Sequence, residues 1–402
     1  MKYISYIFHN IDSLLIALVL NVNVLRFFLN VSDTNIFLYG IYVLAIIITY
    51  SINKSRLYKN YRQSKYIQYY CIYFYLIGGY SLVTCVLKTF EFIVLFKFLV
   101  AILLAIICIG LTANKIKKII QLYFAINIIY GILVLASPDK AYAYMGDSVN
   151  YLNMTLTLGF CLTLSLVGTV INFFYNRYNN LLFSVCFSIF FFIVIMLFAA
   201  RGVLLFPPLI AILIALLNRK THNEKFIVFF IGLSICIGFA VQYFLNNAST
   251  YALAHMSNLF EKTEDESRLV VWSTAINAAL DHLWIFWGGG INCIVKELGF
   301  YPHNIFLHIL IDYGIIGCCG LIYITRVIFK RFLKFRKQQM SMNIKVIEIM
   351  CFAGYLYYLL TFCKSFSMYD SCPLLILMSF CLTIDNNEKE ELRMKCHNMI
   401  DS

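Results

Sequence analysis

Three widely separated positions carry side chains suited to gripping an anion and moving a proton. They are Arg201 in Ala199-Ala200-Arg201-Gly202, Arg268 in Glu266-Ser267-Arg268, and His303 in Tyr301-Pro302-His303-Asn304. A pair of guanidinium groups can clamp a diphosphate bidentately. An imidazole can take a proton from a hydroxyl near neutral pH. Each residue also has a plainer reading. Arg201 between two apolar runs serves as a membrane-interface anchor, Arg268 as a solvated charge beside acids, and His303 as a structural histidine. Gly202 lets backbone or ligand approach closely. Pro207-Pro208 is expected to kink the helix nearby. Glu264-Asp265-Glu266 reads either as a carboxylate cluster suited to Mg²⁺ or Mn²⁺ or as a solvated helix start. His308, one turn beyond His303, reads as a packing or supporting residue. Asp312 reads as a support for the histidine or as half of a polar pair within the bundle.

The elements that must position these residues are membrane helices. The chain has 402 residues, 61% hydrophobic and 13% charged, with mean hydropathy +0.80. That is too apolar for a soluble domain, where about 25% charged residues is usual. Many apolar runs approach 20 residues, the length a helix needs to cross roughly 30 Å of hydrocarbon. The alternating 10-residue segments of a transmembrane barrel are missing. Met1-Lys2-Tyr3 opens no signal-peptide pattern. The reading is an all-α polytopic membrane protein of about twelve helices. The spans are 11–29, 35–52, 67–87, 90–112, 119–137, 151–173, 181–200, 203–218, 226–245, 304–325, 346–363 and 371–384.

Lysine and arginine concentrate in segments 53–66, 113–118, 219–225 and 326–345. With twelve spans all four fall on one side. The positive-inside bias makes that side, and both termini, cytoplasmic. The net charge of +12 is therefore an orientation signal rather than a nucleic-acid footprint. Helices one to nine occupy 1–245, a long outer loop 246–303, helices ten to twelve 304–384, and a cytoplasmic tail 385–402. In the loop, Arg268 to His282 reads as an amphipathic helix. Val271, Trp272, Ala275, Ala279 and Leu283 share one face, and Gly288-Gly289-Gly290 ends the structured part. The fourteen cysteines form no CxxC pair and read mostly as small buried hydrophobes. Cys363 and Cys372 flank one short loop and can pair. This topology, drawn without reference to Arg201, Arg268 and His303, puts all three on the outer face. That is the equipment for glycosyl transfer from a lipid-linked diphosphate sugar.

His303-Asn304, nine residues, then Gly314-Ile315-Ile316-Gly317 resembles the signature of the O-antigen ligase and O-antigen polymerase superfamily. Ser267-Arg268 through Trp272, Trp287 to Gly290, and Tyr301 to Asn304 are similar to that family's large periplasmic loop, and Arg201-Gly202 to its preceding arginine site. The resemblance implies a GT-C-like, metal-independent glycosyltransferase of the bacterial inner membrane, without cofactor. It implies an undecaprenyl-diphosphate-linked glycan as donor, and the lipid bilayer and a chain-length regulator protein as partners. Nucleic acid is not among them. Arg201 and Arg268 would hold the diphosphate with Asn304, and His303 would activate the acceptor hydroxyl. Gly202, Tyr301, Gly314 and Gly317 would support the site. Richness in Tyr and Phe, scarcity of Pro, Ala-Arg-Gly before an apolar span and Asp147 to Tyr151 resemble polymerases more than ligases. Two alternatives stand beside the polymerase. One is a ligase that moves the finished chain to lipid A-core. The other is a transporter of the same lipid-linked sugar, for which Lys97, Asp312 and Glu348 are candidate intramembrane groups.

Overall fold

A computed structural model describes residues 10–29, 36–88, 92–137, 148–196, 201–218, 224–225, 227, 231–232, 242, 264–300, 302–336, 341–364 and 368–384. Among them the chain is helical, without strands. We label the helices α1 (Ile11–Leu20), α2 (Val22–Leu29), α3 (Ile36–Gln63), α4 (Lys65–Lys88), α5 (Phe92–Cys108), α6 (Ala113–Ala136), α7 (Ser148–Phe174), α8 (Tyr178–Met196), α9 (Arg201–Asn218), α10 (Glu264–Asp281), α11 (Trp284–Trp287), α12 (Cys293–Leu298), α13 (Ile305–Arg336) and α14 (Met342–Phe362). A short 3₁₀ turn, Met368–Asp370, precedes α15 (Cys372–Ile384).

Among the described residues seven helices are long and apolar enough to cross a membrane, and eight if the bent pair α1–α2 is one span. Three shorter apolar helices, Phe92–Cys108, Leu205–Leu217 and Cys372–Ile384, join them. A helix thus stands at every expected span except 226–245, most of which lies outside the described residues. Large apolar side chains face outward in number, among them Leu76, Leu182 and Ile316. Water would not tolerate such a surface, and lipid does. This is a polytopic all-α membrane protein.

Two expectations need correction. Span 11–29 is not one rod: it bends by 76° at Asn21. The Asn21 side chain donates to Ala17 O at 2.8 Å and accepts from the Asn127 amide, so a buried asparagine pair fixes the corner. Segments 53–66 and 326–345 are not loops throughout. α3 runs on to Gln63 and α13 to Arg336, because Lys, Arg and Gln favour helix and no Pro or Gly intervenes. At 28 and 32 residues these helices are about 42 and 48 Å long. Each therefore carries its basic end beyond the hydrocarbon. Pro207 and Pro208 lie inside one continuous helix, α9.

In one half α1 packs on α3 and α6, and α3 on α5. In the other, α8, α9 and α14 gather round α7. Val203 of α9 and Tyr357 of α14 crowd Gly159 of α7, where a Cβ would lie 2.4 Å from Val203 Cγ1. The start of α9 is thereby seated on α7. Polar contacts tie helix ends together at several places. Asp12 accepts from Asn53 at 2.9 Å and pairs with Lys115. Lys225 donates to Phe174 O, and Arg336 to Leu217 O. Each contact joins segments that share a side in the charge count.

Candidate active site

The site region is built on a break in α13. Gly314 has φ +69° and ψ −172°, outside the helical range, so the helical ladder is interrupted there. The break leaves carbonyls of the preceding turn without their usual partners. The glycine run supplies the donors. Gly289 N–H donates to Ile311 O at 2.8 Å and Gly290 N–H to Asp312 O at 3.0 Å. Such backbone approach leaves no room for side chains. A Cβ on Gly314 would sit 2.5 Å from Phe286 O, and one on Gly288 (φ +80°) would sit 2.5 Å from Asp312 O. The spacing from Gly288–Gly290 to Gly314 in the sequence thus records one interface. One turn on, the Gly317 carbonyl accepts from the Tyr73 hydroxyl of α4 at 2.7 Å.

Asp312 is the node of this interface. It is fully buried, and its carboxylate accepts from Asn292 N–H at 3.0 Å, from the Cys293 thiol at 3.2 Å and from the Tyr369 hydroxyl. His308, also buried, brings Nε2 within 3.2 Å of Asp312 Oδ2 and meets the Tyr369 ring edge-on. Burial, then the charge of Asp312, push the Tyr369 phenol well above its ordinary pKa, so it stays a donor. Of the sequence's two readings of Asp312, the buried polar pairing is the one represented; the histidine it contacts is His308, whereas the supporting reading concerned His303. The sequence offered no signal for Asn292, Cys293 or Tyr369, which lie on other elements.

His303 sits just before α13, half-buried, in the left-handed region at φ 50°. That conformation is uncommon for a residue with a Cβ, although His is enriched among such cases. Strain of this kind gathers at functional positions. Two neighbours hold it. Asn304 Oδ1 accepts from the N–H groups of Phe306 and Leu307 at 3.0 and 3.2 Å, capping α13. The Trp272 indole N–H donates to Pro302 O at 2.8 Å. Position 268 lies one turn before Trp272 on the backbone of α10. Arg201 is the first residue of α9. The side chains of Arg201, Arg268 and Glu264 to Glu266, and the whole of Tyr301, lie outside the described residues, and of Gly202 only the helical backbone is described.

The remaining face of α10 packs as the apolar spacing predicts, with Ala275 and Ala279 fully buried against Ile294 and Ile311. Leu283 is a correction. It lies past the helix end, at φ 57°, and is exposed. Cys363 and Cys372 are free thiols.

A multi-helix membrane protein with a helical segment, α10 to α12, anchored on a kinked helix is the class these features define. Residues 185–322, about a third of the chain, match the model of the family described as O-antigen ligase. The match takes in Arg201, Arg268, the glycine run and the His303-to-Gly317 signature. It is consistent with a member of the O-antigen ligase/polymerase superfamily, whose members are glycosyl-transferring enzymes. No curated protein matches the chain.

Proposed function

We propose that the protein is an O-antigen polymerase. In this reading it joins undecaprenyl-diphosphate-linked repeat units at the periplasmic face of the inner membrane. The observation that carries the reading is the placement of His303. It stands in a strained conformation at the head of α13, with Pro302 bonded to Trp272 on the helix that carries Arg268. The acceptor hydroxyl attacks the anomeric carbon of the donor and passes its proton to His303. The bond from that carbon to the diphosphate breaks, and the lipid diphosphate leaves with both electrons. Arg201 and Arg268 would meet the charge on the leaving group, where positioned cations act most strongly. The N-terminus of α9, which begins at Arg201, adds a favourable end of a helix dipole. Asn304 would reach the substrate through its amide nitrogen, since its oxygen caps α13.

The polymerase reading, rather than the ligase, rests on the resemblance of the aromatic-rich, proline-poor spans and the Ala-Arg-Gly stretch. Asp312 weighs against transport, because a carboxylate committed to Tyr369, Cys293 and Asn292 is a poor mobile ion site. Lipopolysaccharide from a deletion strain and from a His303→Ala strain tests the proposal on one gel. A polymerase leaves lipid A-core bearing a single repeat and no ladder. Loss of every repeat, with lipid-linked polymer accumulating, would identify a ligase. A normal ladder in His303→Ala would refute the role given to the histidine.

A further inference from the structure

The segment around α11 lies deeper than a water-facing loop should. Two helices serve as rulers. On α13, α11 contacts Gly314, nine residues past Ile305, or about 14 Å along the helix axis. On α4, the Tyr80 hydroxyl lies 3.0 Å from the carbonyls of both Trp287 and Gly288, and Thr84 accepts from Ile291 N–H at 3.3 Å. Those residues are eight and four positions inside the Lys88 end of α4, or about 12 and 6 Å. The apolar part of α13, from Ile305 to Thr325 before Arg326, has about the length that hydrocarbon requires. The two rulers therefore agree that Trp284 to Asn292 descends below the outer ends of the helices it packs on.

Non-helical backbone at that depth is tolerated only where its polar groups are satisfied by protein. Here they are. Gly288 N–H donates to Trp284 O, Gly289 and Gly290 to Ile311 and Asp312 carbonyls, Ile291 to Thr84, and Asn292 to Asp312 and Tyr369. The side chains turned away from the protein are apolar. Trp287 is 77% exposed and Phe286 54%, in line with the outward-facing Ile276, Leu280 and Leu283. On either side the exposed surface is that of spanning helices. Ile315 and Ile316 follow the α13 break, and Val83 and Leu87 lie near the outer end of α4.

We infer that α11 is a re-entrant element of the outer leaflet, with Phe286 and Trp287 seated among lipid acyl chains rather than in water. The depth of α11 and the apolar side chains exposed beside it on the spanning helices α4 and α13 name the occupant as bilayer lipid, with the exposed His282–Glu297 pair beside Trp284 at the rim of the patch. The inference stands apart from the reaction and holds whichever glycan is transferred.

The chain's three tryptophans are Trp272, Trp284 and Trp287, all in this outer segment. Intrinsic fluorescence therefore reports on this segment alone. The full-length protein is reconstituted in phosphatidylcholine–phosphatidylglycerol vesicles, with or without bromine on the upper acyl chain. Bromine is expected to lower the emission roughly twofold, as for interfacial aromatics, while iodide in the water has little effect. Trp287→Phe, a change at an exposed ring, removes most of the bromine-sensitive component. Strong iodide quenching with none by bromine would place α11 in water and overturn the inference. Bromine quenching that survives unchanged in Trp287→Phe would overturn the seat given to that residue.

Discussion

The phenol of Tyr369 donates a hydrogen bond to the carboxylate of Asp312, 57 residues earlier in the chain. The bond closes the short turn between α14 and α15 onto the break in α13. The same carboxylate holds Asn292 and Cys293, so three outer pieces meet on one buried charge. Tyr369→Phe removes one donor from that charge and is expected to cost about 1–3 kcal/mol. Thermal unfolding in detergent measures it. The phenol pKa is raised in the folded protein, so its contribution is present below the ordinary phenol value near 10 and is lost as pH rises beyond it. The gap between wild type and Tyr369→Phe should hold constant from neutral pH to mildly alkaline pH and shrink above that. A gap that widens with alkali would contradict this origin.

Gly314→Ala should destabilise the outer segment for two reasons. A residue with a Cβ at φ +69° costs roughly 1–2 kcal/mol. The added carbon would also press on Phe286 O at 2.5 Å. Asn tolerates the left-handed helical region but not the ψ of −172° found here, a region open essentially to Gly alone, and it carries the same Cβ, so Gly314→Asn should restore little. If Gly314→Asn unfolds at the wild-type temperature, the contact with α11 is not what demands glycine.

Asn304 has two assigned roles, and substitutions separate them. Asn304→Ala removes the cap of α13 and should cost about 1 kcal/mol, while Asn304→Asp keeps it. If the amide also reaches the donor, Asn304→Asp retains wild-type stability but transfers glycan more slowly, with KM raised. Full activity in the stable Asp variant would leave Asn304 as a cap alone.

Trp272→Phe keeps an aromatic ring but loses the N–H that holds Pro302 O. The loss of one hydrogen bond, about 1 kcal/mol, should appear as a several-fold fall in kcat for polymerisation by purified protein supplied with lipid-linked repeats. Stability should change little, because Trp272 is only half-buried. An unchanged kcat would mean that this bond does not set the position of His303.

By itself the sequence determined the solvent and the helical class, and its motifs carried the resemblance to one family. Long apolar runs admit only helices in lipid, because every backbone polar group must be satisfied within its own segment. The His303-Asn304 to Gly314-x-x-Gly317 spacing and the glycine run at Gly288 to Gly290 were legible because few residue types fit such backbone positions. Tertiary structure decided what those glycines are for. Gly289 and Gly290 supply the N–H groups that the break at Gly314 calls for, and no local rule links positions so far apart in the chain. It also decided that Asp312 gathers Asn292, Cys293 and Tyr369, that Asn21 and Asn127 bend the first span, and that Trp272 reaches Pro302. A polar side chain inside an apolar run announces only that it needs a partner. Which partner it finds depends on the side-by-side placement of helices far apart in sequence, and periodicity and charge do not encode that.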